Sequence, residues 1–415
     1  MLLRRVILAI LLLALPAAAQ EIDGVEPAAI DQPRINLVVR TRPAGPPLFV
    51  KSDHEDFSNV EAFLDTGASG VVLSAHTADQ LGVDRESVAG GKTNVLFQDV
   101  GVGGGDKFAV SDPIYISIAP STSEVNGNDL SVINSTYNEN FGPLRAEVGP
   151  LGMLNGLMAL LTMSDMDIAG IPAMQGKIVV MDTKDVNNFT DKIHTTIYDA
   201  NAQNVIPRTS RHVKLSYADF ARYTTTTPAT APGPSMAANP FIGPSPLLPP
   251  GAHDSTPPVI AISHGRRISC SFLLDTGAAA SMISEAHAAE LGVRYDPANA
   301  THLLGVPDDK QFTLQIGGIG GMKTAAGFYL DKLILPTIEG TPITFLHAPV
   351  LVSDITVADP VTKKQITLDG VFGMNFLVAS ADIDTSGLLP DINKISPGMF
   401  RWIVFDQPRG LLGLE

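Results

Sequence analysis

A single cysteine, Cys270, stands in a chain of 415 residues. One thiol cannot close an internal disulfide, so the fold must be held by its core. Cys270 lies in the alternating segment Ile268-Ser269-Cys270-Ser271-Phe272, which fits a small buried strand residue better than a nucleophile. Basic residues are also scarce: 28 Lys and Arg against 43 Asp and Glu, a formal charge of −15. Nucleic acid is excluded as a partner, because phosphate binding needs a basic footprint. The chain lacks a Gly-x-Ser-x-Gly elbow, a His-Glu-x-x-His helix and a Gly-x-Gly-x-x-Gly loop, and its nine histidines are scattered. Neither a metal site nor a cofactor is expected. Beyond the N-terminus there is no long apolar run. Leu151 to Met163 comes nearest, but it contains Asn155 and two glycines and falls short of the ~20 residues of a spanning helix, so it reads as core.

What is present describes a globular chain with ample core: 45% of residues are hydrophobic and 17% charged, which rules out disorder throughout. The first residues form a secretory signal peptide. Met1 to Arg5 carry the positive charge, Val6 to Leu15 the apolar stretch, and Ala17-Ala18-Ala19 the small-residue cleavage site. Cleavage after Ala19 is expected, giving an exported protein, periplasmic or extracellular, with no membrane span once the signal is removed. Glycine, proline and β-branched residues are plentiful and the apolar segments are short, as in Ile35-Asn36-Leu37-Val38-Val39. The chain therefore reads as mainly β with a few short helices.

The most informative element is a repeat. Phe63-Leu64-Asp65-Thr66-Gly67-Ala68, continuing through Leu73-Ser74 to Leu81-Gly82-Val83, aligns without a gap to Leu273-Leu274-Asp275-Thr276-Gly277-Ala278, through Ile283-Ser284 to Leu291-Gly292-Val293. A single Asp-Thr-Gly arises by composition in roughly one chain in twenty of this length and would pass as a turn. Two copies in matched context are another matter. Ser74 and Ser284 are placed as helix N-caps, Gly82 and Gly292 as stops. Three further landmarks recur in order. Gly101 to Gly105 matches Gly317 to Gly321, Gly149-Pro150-Leu151-Gly152-Met153 matches Gly370-Val371-Phe372-Gly373-Met374, and Lys177 to Asp182 matches Trp402 to Asp406. Two homologous β-barrel-like lobes with a cleft between them follow, the first over 20–200 with Asp65 and the second over 201–415 with Asp275. The Pro- and Thr-rich stretch 224–258 is a connector or surface excursion. One chain supplies both halves, so a monomer is expected.

An aspartate on a tight strand-end loop, followed by Thr and Gly, presents a carboxylate beside a second copy of itself. Glycine permits close backbone approach, and nearby N–H groups can bond the carboxylate oxygens. If Asp65 and Asp275 meet, their repulsion makes the pair hold one proton over a wide pH range. The ionised member can then activate water while the protonated member donates to a carbonyl oxygen.

The chain resembles the pepsin-like aspartic peptidases, in the bacterial two-lobed form with Asp-Thr-Gly-Ala, and shares its alanine after the glycine with the retropepsin-like proteases. The resemblance implies the pepsin fold and a secreted endopeptidase acting on peptides or proteins. Asp65 and Asp275 would be the catalytic pair. Thr66 and Thr276 would bond across to the opposite loop, and Gly67 and Gly277 would offer amides to the carboxylates. The apolar-apolar-Gly stretch beneath each loop would be Pro150-Leu151-Gly152 and Val371-Phe372-Gly373. Two departures stand out. Pepsins place Ser or Thr where this chain has Ala68 and Ala278, and the loss of that donor should make each carboxylate less acidic. The flap tyrosine is missing from Val95 to Val110, leaving Phe97, Phe108 or a mobile glycine loop to cover the cleft. A rival reading keeps the fold and drops the activity, giving a binding module for a peptide, glycan or protein. Retention of both aspartates favours the enzyme.

Overall fold

The computed structural model describes residues 20–43, 45–51, 56–57, 59–68, 70–87, 94–119, 140–149, 166–218, 225–228, 254–358, 365–384 and 391–415. The chain is mainly β, with barrel-like sheets. Period-two burial explains the strands: along Asn59–Leu64, Val60, Ala62 and Leu64 are buried while Glu61 is exposed. Among the described residues a ten-stranded sheet gathers strands between Arg34 and Gly149 together with Ile168–Ala169 and Thr225–Pro228. A nine-stranded sheet gathers those between Pro258 and Phe372, and also takes in Gln20–Ile22, which pairs in parallel with Ile343–Val352. The chain's first described strand thus sits with the C-terminal sheet.

A five-stranded antiparallel sheet draws on both halves of the sequence. Its middle is the repeated pair, Lys177–Asp182 beside Trp402–Asp406, with Val180 opposite Val404. Arg211–Lys214 closes one edge against Leu411–Leu414. Part of the Pro- and Thr-rich stretch is also drawn into the sheets: Thr225–Pro228 pairs with Val95–Gly101. Leu151 to Met163 lies outside the described residues.

The two copies of the motif fold alike. Ser74 caps the helix Ala75–Leu81 by accepting the Thr77 N–H at 2.9 Å, and Gly82 ends it with φ 68°. Ser284 caps Glu285–Glu290 through the His287 N–H, with Gly292 at φ 91° just beyond. His76 is exposed, whereas His287 is half-buried between Glu290 and Asp369, at 3.1 and 3.3 Å.

The landmark expected beneath the first loop is displaced. Residues 150–152 lie outside the described set, and the place that Val371-Phe372-Gly373 fills in the second half is filled in the first by Ile168-Ala169-Gly170. Leu64 pairs with Ala169 as Leu274 pairs with Phe372, both in parallel. The Asp65 and Asp275 amides each donate, at 3.1 Å, to the carbonyls of those partners. Glycine follows in both cases because a Cβ there would strike the carbonyls of the loop above, those of Ala68 and Gly70 in one half and of Ala278 and Ala280 in the other. The sequence hides this landmark because Ala169 stands where the second copy has Phe372.

The larger aromatic side of the core backs the second loop. Phe372 and Phe376 stack at 5.5 Å between centroids, and Phe345 packs on Phe376 at 4.7 Å. Phe345 is fully buried and far in sequence from the loop. Phe345→Ala should lower unfolding free energy by about 3–5 kcal/mol, measured by urea denaturation; a loss well under 1 kcal/mol would mean that this cluster carries little of the fold.

Candidate active site

Both Asp-Thr-Gly loops descend from the last residue of a buried strand, Leu64 in one half and Leu274 in the other, and meet face to face. The threonines interlock. The Thr66 hydroxyl donates to the Leu274 carbonyl at 2.6 Å and accepts the Thr276 N–H at 3.1 Å. Thr276 reciprocates, donating to the Leu64 carbonyl at 2.5 Å and accepting the Thr66 N–H at 3.0 Å. Both threonines are buried, so each of these four bonds satisfies a group that water cannot reach. Threonine is the residue that can do this, since a hydroxyl donates and accepts at once.

The glycines allow the loops to close. A Cβ on Gly67 would lie 2.6 Å from Asp275 Cγ, and one on Gly277 would press on the Asp65 carboxylate. Any larger residue would force the two carboxyls apart. The Gly67 amide donates to Asp65 Oδ1 at 2.7 Å, and the Gly277 amide bears on both carboxyls. The N-terminal segment braces the second loop from outside: the Ala29 N–H donates to the Ala279 carbonyl at 2.8 Å, and the Gln32 amide donates to the Gly277 carbonyl.

Asp65 and Asp275 are hydrogen-bonded to each other. Burial pushes the Asp275 carboxyl well above the usual carboxylate range, and the neighbouring charge and hydrogen bond of Asp65 push it the same way against the Ala278 and Gly277 amides. Burial also raises Asp65, offset by the hydrogen bond from Asp275 and by the amides of Gly67, Gly277 and Ala68. Both carboxyls are raised and they titrate together, so the pair holds one shared proton. Asp275 Oδ1 is buried and has no hydrogen-bond partner among the described residues.

Two β-hairpins stand over this floor, where the sequence points to one. Val95–Gly101 pairs with Gly104–Val110, and Gln311–Gly318 pairs with Gly321–Leu335. Their tips touch: the Gly103 N–H donates to the Ile319 carbonyl at 2.9 Å, and a Cβ on Gly103 or Gly320 would collide with the other's backbone. The paired glycine clusters are the signal for the second hairpin. Phe108 does not stand in for a flap tyrosine. It is fully buried beside Val72 and Ile168, with its ring against Gly149; the side chain of Phe97 lies outside the described residues. Among the described residues no cluster of three or more His, Cys, Asp or Glu is placed to hold a metal ion. Cys270 is buried with its thiol pushed up to about 12, chiefly by burial.

Residues 260–376 match a family model described as aspartyl protease. The aspartyl protease match takes in Asp275, the second hairpin and Val371-Phe372-Gly373, and supports an aspartic peptidase family and a hydrolase acting on peptides or proteins. Asp65 lies outside the matched aspartyl protease segment and reaches the site through the crossed threonine bonds. No curated protein matches the chain.

Thr66→Val and Thr276→Val each remove one hydroxyl from two bonds and leave a buried N–H and carbonyl unmatched. Each should cost about 1–3 kcal/mol in denaturant unfolding. Because both hydroxyls act at one junction, the double variant should cost less than the sum; strict additivity would show that the four bonds do not act as a unit.

Proposed function

We propose that this chain is a secreted aspartic endopeptidase of two-lobed, pepsin-like organisation, in which Asp65 and Asp275 form one catalytic centre between the halves. The observation that carries this reading is the crossed threonine pair, which locks two half-buried carboxyls from distant parts of the sequence against each other. Matched registers support the two-lobe reading: the same parallel pairing beneath each loop, the same capped helix after it and the same hairpin above it.

In the mechanism this pair supports, the ionised member takes a proton from water as the oxygen attacks the peptide carbonyl carbon, while the protonated member gives its proton to the carbonyl oxygen. The resulting gem-diol collapses as the C–N bond breaks: the carboxyl that took the water proton gives it to the leaving nitrogen, and one diol hydroxyl returns its proton to the other carboxylate as the product carbonyl forms, which restores one proton shared by the pair. Like charges at this separation cannot both ionise, the property on which aspartic-protease dyads in general depend. The hairpins must part to admit an extended peptide and can close again to exclude water.

Asp65→Asn and Asp275→Asn should each reduce kcat on casein or a peptide library by at least about a hundredfold. Activity surviving both substitutions would overturn the dyad, and a folded chain that cleaves no peptide would overturn the enzyme. The acid limb of the pH–rate profile reports protonation of the singly charged pair, and the basic limb reports loss of its one shared proton. Both groups are raised, so both limbs move upward, and the profile should peak well above about pH 2, where a strongly acidified dyad works.

Export rests on the N-terminal segment. Sequencing of the exported chain from its N-terminus should begin at Gln20; a product that keeps Met1 would contradict the cleavage. Among the described residues no helix is long and apolar enough to cross a membrane.

A further inference from the structure

The two halves of the cleft match in backbone but not in chemistry. Strand alternation sorts their residues. In the first half Val71, Leu73, Ala146, Val148 and Ala169 belong to the main core, whereas their neighbours Val72 and Ile168 pack with Phe108, with Ala68 of the Asp65 loop and with Ile319 of the opposite hairpin tip. In the second half Ile283, Val350, Val352 and Phe372 belong to the main core, whereas Met282, Leu351 and Val371 pack with Ala325, with Ala278 of the Asp275 loop and with Val102 of the opposite tip. The second set in each half lies on the sheet face that carries the Asp-Thr-Gly loop and the opposite hairpin tip.

Register then gives the counterparts. Glu147 pairs with Val72 as Leu351 pairs with Met282, and Glu147 also pairs with Val110 as Leu351 pairs with Gly327. Counting back from the hairpin tips, where Gly101 pairs with Gly104 and Gly318 with Gly321, Asp99 corresponds to Ile316 and Asp106 to Lys323. An apolar wall in the second half is therefore replaced in the first by two carboxyls that meet each other, with Asp106 across the hairpin from Asp99.

Glu147 is 1% exposed, and its Oε2 has no hydrogen-bond partner among the described residues. Burial holds its carboxyl well above the usual range, and the charge of Asp99 adds to this. An unmatched carboxyl on an apolar face costs stability, and the fold does not require it, since Leu351 fills the same place in the other half.

We infer that Glu147 and Asp99 form an acidic subsite on the first half of the cleft, which takes a lysine or arginine side chain of the bound peptide. This rests on the peptidase reading above and gives it a substrate class. A cation arriving between the carboxyls satisfies the unmatched oxygen, and the proton held by Glu147 departs to solvent. The apolar wall of Leu351, Ile316 and Met282 offers no such partner, so the requirement falls on one side of the scissile bond.

The test is cleavage-site profiling of the full mature chain with an unbiased peptide library, followed by a pair of peptides that differ only in Lys or Leu at the selected position. The wild type should enrich Lys and Arg at one position and prefer the Lys peptide by on the order of tenfold or more in kcat/KM. Glu147→Leu combined with Asp99→Ile copies the second half of the chain itself and should invert that ratio. Glu147→Gln, a change of charge alone, should reduce it and keeps the test open if the double variant does not fold. A wild type with no basic position, or a Lys/Leu ratio unmoved in the folded variants, would overturn the subsite. If the folded wild type cleaves nothing, the peptidase reading falls separately, and binding of the same two peptides decides the subsite: preference for Lys, lost in Glu147→Gln, supports it and equal binding overturns it.

Discussion

Everything at the centre of this molecule depends on four hydrogen bonds between two threonines and two leucine carbonyls. They form where two β systems from opposite ends of the sequence touch, and they are buried. Without them, the repulsion of two carboxyls held against each other would drive the loops apart. With them, the separation is set by backbone, and the carboxyls have little choice but to share a proton. The glycines complete the constraint from the other side, because each leaves no side chain to wedge under the opposing carboxyl. Attraction at the threonines and absence of bulk at the glycines act together, which is why the tripeptide behaves as a unit.

The same economy appears in the roof. Hairpin tips built from glycine meet through a backbone bond from Gly103 to the Ile319 carbonyl. That bond and the packing of Ile319 and Val102 into the opposite halves hold the roof, against four buried bonds in the floor, so opening to a substrate is expected above the aspartates rather than below them. The five-stranded sheet made from both halves ties the base together.

Much of this is legible in the sequence because the motif carries its own local physics. Ser74 and Ser284 announce helix starts, Gly82 marks a left-handed stop, and Asp-Thr-Gly twice over predicts a meeting of carboxyls. What escapes is whatever the duplication has altered. Ile168-Ala169-Gly170 is hidden because parallel pairing beneath the loop needs a backbone carbonyl and a following glycine, and these tolerate Ala where the other half has Phe. The second hairpin is written in the sequence as a glycine cluster, which marks the repeat without saying that it forms part of a roof. Pairing between residues 20–22 and 343–345 cannot be read at all, since register between strands so distant leaves no local pattern.

The altered positions carry the most information about what the cleft receives. A site assembled from two identical halves must present the same walls on both sides. Here both halves lie in one chain, and each is free to change while the crossed threonines keep the centre symmetric. Volume has been traded across the divide: Phe108 lies over Gly149 in one half, and their counterparts by register in the other are Ala325 and Ser353. Charge has been traded as well: Lys323 bonds Ser353 at 3.0 Å where the first half has Asp106 and Gly149. Packing is frame enough for the first exchange, in which the second half simply carries less side-chain volume than the first. It does not explain a buried glutamate where leucine suffices, because that replacement weakens the fold. A group that costs stability and is level with Val72, on the face that meets the Asp65 loop and the hairpin tip, calls for a partner, and the proposed acidic subsite supplies one.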